Sequence, residues 1–454
     1  MPIFEKYSLN LLFVIVSGFL AACSSGSLKE NPKQFPSPDP RVDVEKERRD
    51  NLPRQMETGV DSAFTSRFDG STDSADRSRY LPFTSAQGGM VVSDDGEASE
   101  CGAEILRKGG NAVDAAVATA FALSVSRPHF ASIGGGGFLL FCPAPKAGDG
   151  QSDFVSGKKC QAMDYRETAP KGSFRDMYVQ NGKGNTELSQ AGALASAVPG
   201  TVAGLLQALK EWGRLPREKV MACAIRMART GVRVSSNTEA GAVYRWKKMN
   251  AEAKRIFGDS TDTPLKPGAI LVQYDLARVL ESISRQGEKG FYKGWVARRL
   301  AKGLKDAGGI ITQEDLESYH PVIRTPVEGS YRGQTVVSMP PPSSGGFLVI
   351  QMLQFAKLAE ATQSFTEGPG SIHTLHAEAF SMDLAFADRA QYMGDPDFFK
   401  VPLAELLDSH YLASRWSIFN PEKVSEVSPG PKTEKFTKER IRLISRWLMP
   451  KVRP

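Results

Sequence analysis

The chain has 454 residues, 41% of them hydrophobic, enough to bury one large core or two ordinary ones. Its 57 basic and 51 acidic residues give a formal charge of +6, spread along the chain without a long basic block. That pattern reads as solvated surface and argues against nucleic-acid binding, which needs a clustered basic face. An enzyme is well within reach of this size.

Lys6 precedes an apolar run over residues 11–20, too short to span a bilayer comfortably but suited to a signal-peptide core. Leu20-Ala21-Ala22-Cys23 then resembles a bacterial lipobox, which implies that the Cys23 thiol is acylated and becomes the new N-terminus after cleavage. Ser24 behind it fits outer-membrane sorting. Multiple acyl chains tether a protein without crossing the membrane. The expectation is an exported bacterial lipoprotein, with residues 1–23 as signal peptide, anchored in the outer membrane and facing the periplasm. An ordinary secretory signal with a chance cysteine is the alternative. Residues 24–85, rich in Ser, Asp, Arg and Pro, cannot bury enough surface to offset chain entropy and read as a flexible stalk.

From Gly88, GGMVVS has the β-branched character of a short strand. Two helices follow, punctuated by Gly109 and Gly110. Asn111 is a plausible N-cap for the second, and Val113, Ala116, Val117, Ala120 and Phe121 make a small-residue apolar stripe. Strands are predicted over residues 138–142 and 161–165, a helix over 201–212, and mainly helix over 216–320, where Thr312 and Asp315 mark one start. Residues 334–339 read as a strand and 346–361 as a helix. Ile372, Leu375, Ala379, Met382 and Phe386 step by three and four, so a long amphipathic helix runs to Tyr392. Strands alternating with helices indicate a layered α/β protein.

Beyond Cys23 the cysteines are Cys101, Cys142, Cys160 and Cys223. An even number in an exported protein permits disulfides, and Cys142 with Cys160 could close the loop between two strands; four small buried thiols are the alternative. No spacing resembles a zinc site.

Four features invite a chemical reading. Ser132 to Phe138 holds four consecutive glycines, yet they run into FLLF instead of opening a helix, so a tight backbone crossing is expected rather than a nucleotide loop. Ser343 and Ser344 follow a triple proline, where Ser344 as a helix N-cap outweighs an anion site. His373 and His376 stand three apart without an HExxH pattern or third ligand, so no metal site is assigned. Arg166 presents a planar fork of donors that matches a carboxylate, although on composition alone pairing with Asp164 or Glu167 is the simpler role.

Six phrases occur in order: GGNAVDAAVA (109–118), SIGGGGF (132–138), DYRETAP (164–170), VPGTVAGL (198–205), MPPPSSGG (339–346) and ADRAQYMGDPDF (387–398). Together they resemble the large-subunit half of γ-glutamyltransferases, also called glutathione hydrolases, with a domain over 86–430. The resemblance implies the αββα sandwich of N-terminal-nucleophile hydrolases, incomplete here because a small catalytic subunit supplies part of both sheets. It implies cleavage of the γ-glutamyl amide of glutathione and transfer to water, amino acids or peptides through an acyl-threonine, with no cofactor. It places Arg166 on the substrate α-carboxylate, and Asp388 and Arg389 in an ion-pair network near the subunit junction.

Members of this family cut themselves before a threonine, whose freed α-amino group serves as base for its own hydroxyl. The expected Thr-Thr-His-x-Ser phrase is absent; Thr433 and Thr437 lie among lysines instead. One permitted set of codons for residues 440–454, read from the third base of the Arg440 codon, spells Asn-Thr-Thr-His-Phe-Ser-Leu-Val-Asp. Trp447 and Met449 leave no codon choice in that stretch. Residues 431–454 are therefore expected to be an aberrant, frameshifted tail, and these 454 residues alone to be inactive. Two alternatives remain: a non-catalytic lipoprotein that binds γ-glutamyl compounds or a separately encoded catalytic subunit, and a related amide acylase.

Overall fold

Helix α1, Gly96–Arg107, starts where the Asp95 side chain accepts the Ala98 N–H, and α2, Ala112–Ser126, starts in a reciprocal capping box between Asn111 and Asp114. Asn111 is thus the predicted cap. The α2 stripe is broader than its pattern suggested. Ala116 is exposed, whereas Val117, Ala118, Phe121, Ala122 and Val125 are fully buried, because α2 is a central helix packed on several sides. Its small side chains admit α1, α3 (Thr201–Trp212) and α4 (Arg217–Thr230) closely.

The computed structural model describes residues 88–144, 160–361, 368 and 370–431. The chain divides into units Met1–Ser85 and Ala86–Pro454. The expected signal peptide, Cys23, the stalk and the tail from 432 onward lie outside the described residues.

Strands β1 (Phe138–Phe141), β2 (Gln161–Asp164) and β3 (Val322–Arg324) form an antiparallel sheet in the order β1-β2-β3, with Phe138 opposite Asp164 and Asp164 opposite Val322. Between β2 and β3 the chain is mainly helical, as expected, and includes α5 (Tyr274–Gln286). Thr312 and Asp315 make a second capping box at the helix Gln313–Glu317. A hairpin of β4 (Val327–Tyr331) and β5 (Gln334–Ser338) leads through the prolines into α6 (Gly345–Ala361), then α7 (Ile372–Tyr392) and α8 (Ser409–Trp416). Among the described residues the two sheets of a sandwich are present only in part.

One core gathers Phe121, Met163, Val202, Met221 and Leu280. Two smaller ones lie under α6 to α8, around Phe355, Phe380 and Trp416 and around Phe347, Tyr392 and Leu406. Two disulfides are present. Cys142–Cys160 closes the β1–β2 connection, and Cys101–Cys223 joins α1 to α4 across 122 residues.

Three expectations change. GGMVVS is not a strand: Met90 and Val92 are exposed, and no described strand pairs with it. On α7 the stripe that marked the helix as amphipathic (Ile372, Leu375, Ala379, Met382, Phe386) is the exposed one, and Ala377, Phe380 and Leu384 are buried instead. The helix has two apolar faces, and periodicity cannot say which of them finds a partner. Ser344 does not cap α6 with its hydroxyl, which accepts Arg389 Nε at 2.9 Å while Ser343 Oγ accepts the Gly345 N–H.

Candidate substrate-carboxylate site

The segment after β2 carries Arg166, and four phrases of the sequence meet around it. Pairing between β1 and β2 continues one step further, with Gly137 and Tyr165 exchanging backbone hydrogen bonds of 3.2 and 3.0 Å. A Cβ at Gly136 would lie 2.6 Å from the Tyr165 carbonyl oxygen, and one at Gly200 would lie 2.0 Å from the same atom. Cβ atoms at Gly137 and Gly204 would collide with the Tyr165 ring. The glycines of SIGGGGF and VPGTVAGL therefore let two backbones close on Tyr165 from both sides, the tight crossing the sequence suggested. The Gly200 and Thr201 N–H groups at the start of α3 both donate to the Gly135 carbonyl, so that helix terminus is already occupied. Burial pushes the Tyr165 hydroxyl up to about 12.

The Arg166 peptide is gripped at both ends. Its N–H donates to Asp164 Oδ1 at 3.0 Å, and its carbonyl accepts the Tyr319 hydroxyl at 2.8 Å. Burial raises the Tyr319 pKa, with nearby Asp164 and Glu167 adding to the shift, so the phenol stays protonated and donating. Tyr319 in turn stacks on Tyr292, whose hydroxyl donates to the Pro199 carbonyl at 2.8 Å. Downstream, the Lys171 N–H donates to Asp315 Oδ1 at 2.9 Å, fixing the far end of DYRETAP to the Thr312 capping box.

Asp164 also faces Arg324 on β3. Arg324 Nε donates to Asp164 Oδ2 at 2.8 Å, and its Nη1 and Nη2 make a fork to Asp397 at 2.9 and 2.8 Å. The two carboxylates raise the guanidinium pKa further, Asp397 foremost, and Arg324 holds the Asp397 carboxyl below its usual range. Bidentate geometry makes this a directional brace between the end of β2, two residues before Arg166, and the GDPDF loop. Beside it an open groove of about 600 Å³ is lined by Arg324, Pro340, Pro341, Phe398 and Phe399, so the MPPPSSGG phrase borders the same region.

Pairing between Arg166 and Asp164 or Glu167, the simpler role on composition, is not what forms. Asp164 takes the Arg166 backbone N–H and the Arg324 guanidinium, and among the described residues no ion pair engages the exposed Arg166 side chain. The other candidates separate. Asp388 is buried and pairs with Arg415, while Arg389 turns to Ser344 and the Phe386 ring. His376 faces the Pro421 carbonyl and packs on Phe419. Among the described residues no group of three or more His, Cys, Asp and Glu converges on a possible metal. Sequence reasoning missed Arg324, Asp397 and Tyr319. Their spacing of 73 and 153 residues from their partners leaves no local signal.

The family model for γ-glutamyltranspeptidase matches residues 98–442, three quarters of the chain. The glutathione hydrolase proenzyme of Escherichia coli is 39% identical over 352 residues, covering 76% of this chain and 58% of that protein. An acylase proenzyme of Pseudomonas sp. strain V22 is 35% identical over 353 residues, covering 75% of this chain and 60% of that protein. The chain thus spans about three fifths of the length of these relatives. Among solved structures, the γ-glutamyltranspeptidase of Helicobacter pylori superposes with a TM-score of 0.71 at 36% identity, over 77% of this chain and 97% of that one. The chain belongs to the γ-glutamyltranspeptidase family.

Proposed function

We propose that this chain is the large-subunit half of a γ-glutamyltransferase that hydrolyses glutathione and related γ-glutamyl amides or transfers their γ-glutamyl group. Arg166 binds the donor α-carboxylate. The observation that carries this reading is an exposed guanidinium, in no ion pair among the described residues, on a peptide clamped at both ends. A side chain aimed by its backbone and left without an internal counter-ion is prepared for an external one.

The reaction also needs a nucleophile and an oxyanion hole, which a catalytic half supplies. The exposed apolar stripe of α7 supports such a partner, since a 21-residue helix seldom leaves a continuous apolar face to water. On this reading activity requires that catalytic half. Attachment through an acylated Cys23 places the protein at the outer membrane facing the periplasm. Loss of labelled fatty acid in a Cys23→Ala protein tests that point.

The acylase relative supports a second reading, cleavage of a different amide. Arg166 separates the two, because an acylase donor without an α-carboxylate would gain nothing from it. The deciding experiment joins this chain to a catalytic half, in frame or as a second chain, and follows glutamate release from glutathione. Release by the completed protein and none by the 454 residues alone is expected. Release by the 454 residues above a buffer control would remove the proposal.

A further inference from the structure

Residues 289–305 hold six basic residues, Lys289, Lys293, Arg298, Arg299, Lys302 and Lys305, and no acidic one. Small and apolar residues separate most of them, so the stretch does not stand out along the chain as a basic block. The helix Gly294–Asp306 sorts the two kinds. Val296 and Ala297 are buried and Leu300 and Leu304 pack against the main core, while all six basic residues are exposed. Trp295, Arg298, Arg299, Lys302 and Lys305 step by three and four. At about 100° per residue they share an arc of about 120°, over about 15 Å of helix.

Trp295 is the one aromatic residue on this face. It is 39% exposed, and the Arg278 guanidinium of α5 lies over its ring, 5.7 Å from the centroid. Among the described residues, only Lys302 of the six basic residues is in an ion pair, with Asp306 one turn on. Other carboxylates stand at the margin: Glu288 before the stretch, Asp275 beside Arg278 and Glu252 towards Arg299. Lys302 has Arg298 and Arg299 one turn before it and Lys305 one turn after. Like charges at that spacing weaken an isolated helix, and together they attract an external anion.

We propose that this face docks on an anionic phospholipid surface, with the basic residues against lipid phosphates and the Trp295 ring at the level of the head groups. Charge complementarity admits any polyanion. Trp295 favours lipid, because an indole has an apolar body and a polar N–H and settles at the boundary between water and acyl chains, which a polyanion in solution does not offer. Each basic residue close to an anionic membrane is worth roughly fivefold in partitioning, so a handful of them makes a measurable site. An acylated Cys23 holds the protein beside a membrane, where even a weak face is engaged at high effective concentration. That proximity rests on the function proposed above; the contact itself does not. The consequence is orientation: the tethered protein lies with this helix against the lipid.

The test uses the full chain carrying Cys23→Ser, so that no acyl chain holds it to lipid. Arg298→Gln, Arg299→Gln, Lys302→Gln and Lys305→Gln together remove the charge of the face and keep good helix formers. Arg175→Gln, Lys183→Gln, Lys357→Gln and Lys423→Gln remove the same charge from exposed positions elsewhere. Trp295→Phe is the third variant. Two quantities are read: co-sedimentation with phosphatidylcholine vesicles with and without phosphatidylglycerol, and quenching of tryptophan emission by lipids brominated on their acyl chains. The expected result is binding that needs phosphatidylglycerol and weakens with salt, falls tenfold or more in the face variant, and changes less than about threefold in the control. Trp295→Phe should remove most of the quenching seen with the parent. If the face variant fails to fold, Arg298→Gln with Lys305→Gln, neither of which is in an ion pair among the described residues, decides the matter, with a several-fold loss expected. Equal loss in the face and control variants overturns the proposal, as does quenching that Trp295→Phe leaves unchanged. Tighter binding of the parent to a DNA duplex or to polyglutamate than to the phosphatidylglycerol vesicles overturns it too. No sample is acylated, so the outcome is independent of whether Cys23 carries lipid.

Discussion

Two peptides in this molecule are held by the same pair of groups. At Arg166 an aspartate accepts the N–H and a tyrosine hydroxyl donates to the carbonyl; at Gly430 an aspartate and a tyrosine do the same. The settings differ. Arg166 is exposed, and its brace through Arg324 to Asp397 reaches the surface, whereas Gly430, Asp388 and Arg415 are buried. At Arg166 the clamp presents a side chain outward; at Gly430 there is no side chain to present. The same backbone device thus occurs once in a solvated setting and once in a dry one. The energetic consequences of breaking it should diverge accordingly.

The largest effect belongs to the dry clamp. Asp388→Ala leaves the Arg415 guanidinium buried and uncompensated, and should cost about 3–5 kcal/mol of stability, read as a lowered urea midpoint. Arg166→Lys should show the opposite profile. It keeps the charge and loses the fork, costing about 1.5–3 kcal/mol in donor binding, or roughly 10- to 150-fold in KM for the completed enzyme. The urea midpoint of that variant should not move. If both substitutions act on stability alone, the contrast between the two clamps is lost.

Smaller changes sharpen the comparison. Tyr319→Phe removes one donor from the Arg166 carbonyl and should raise donor KM by a few-fold, in line with a net hydrogen bond of about 0.5–1.5 kcal/mol. The smallest effect concerns acid stability. Arg324 depresses the Asp397 pKa below its ordinary value of 3.8, so the pair contributes stability above that value and loses it as pH falls through the lower folded value. Asp397→Asn should therefore be less stable at neutral pH and lose less on acidification below about pH 4. With Asp397 half exposed, the difference should stay under about 1 kcal/mol. A variant whose acid sensitivity matches the parent would remove Asp397 from the brace.

Much of this was legible in the sequence where the signal is local. Asn111 with Asp114, and Thr312 with Asp315, are caps written within four residues, and both form. The glycines of SIGGGGF read correctly as a close crossing because they lead into a strand. What resisted reading was partnership at a distance. Arg324 meets Asp164 across 160 residues, and Cys101 meets Cys223 across 122. Helix α7 forms as read, but which of its faces is buried was not legible. Its two apolar faces are equivalent as pattern, and the choice between them depends on what packs against each. Why the Arg166 guanidinium makes no ion pair among the described residues was not legible either, because Asp164 is engaged by a residue from another strand.

The most direct test of the account compares two donors on the completed enzyme: a γ-glutamyl amide, and the same compound with its α-carboxylate converted to a neutral amide. With Arg166 in place the carboxylate donor should be favoured in kcat/KM by roughly 10- to 150-fold, and Arg166→Lys should abolish most of that preference, since the coupling belongs to this one pair. A preference of equal size in the parent and in Arg166→Lys would show that the carboxylate is read elsewhere, and the central assignment would fall.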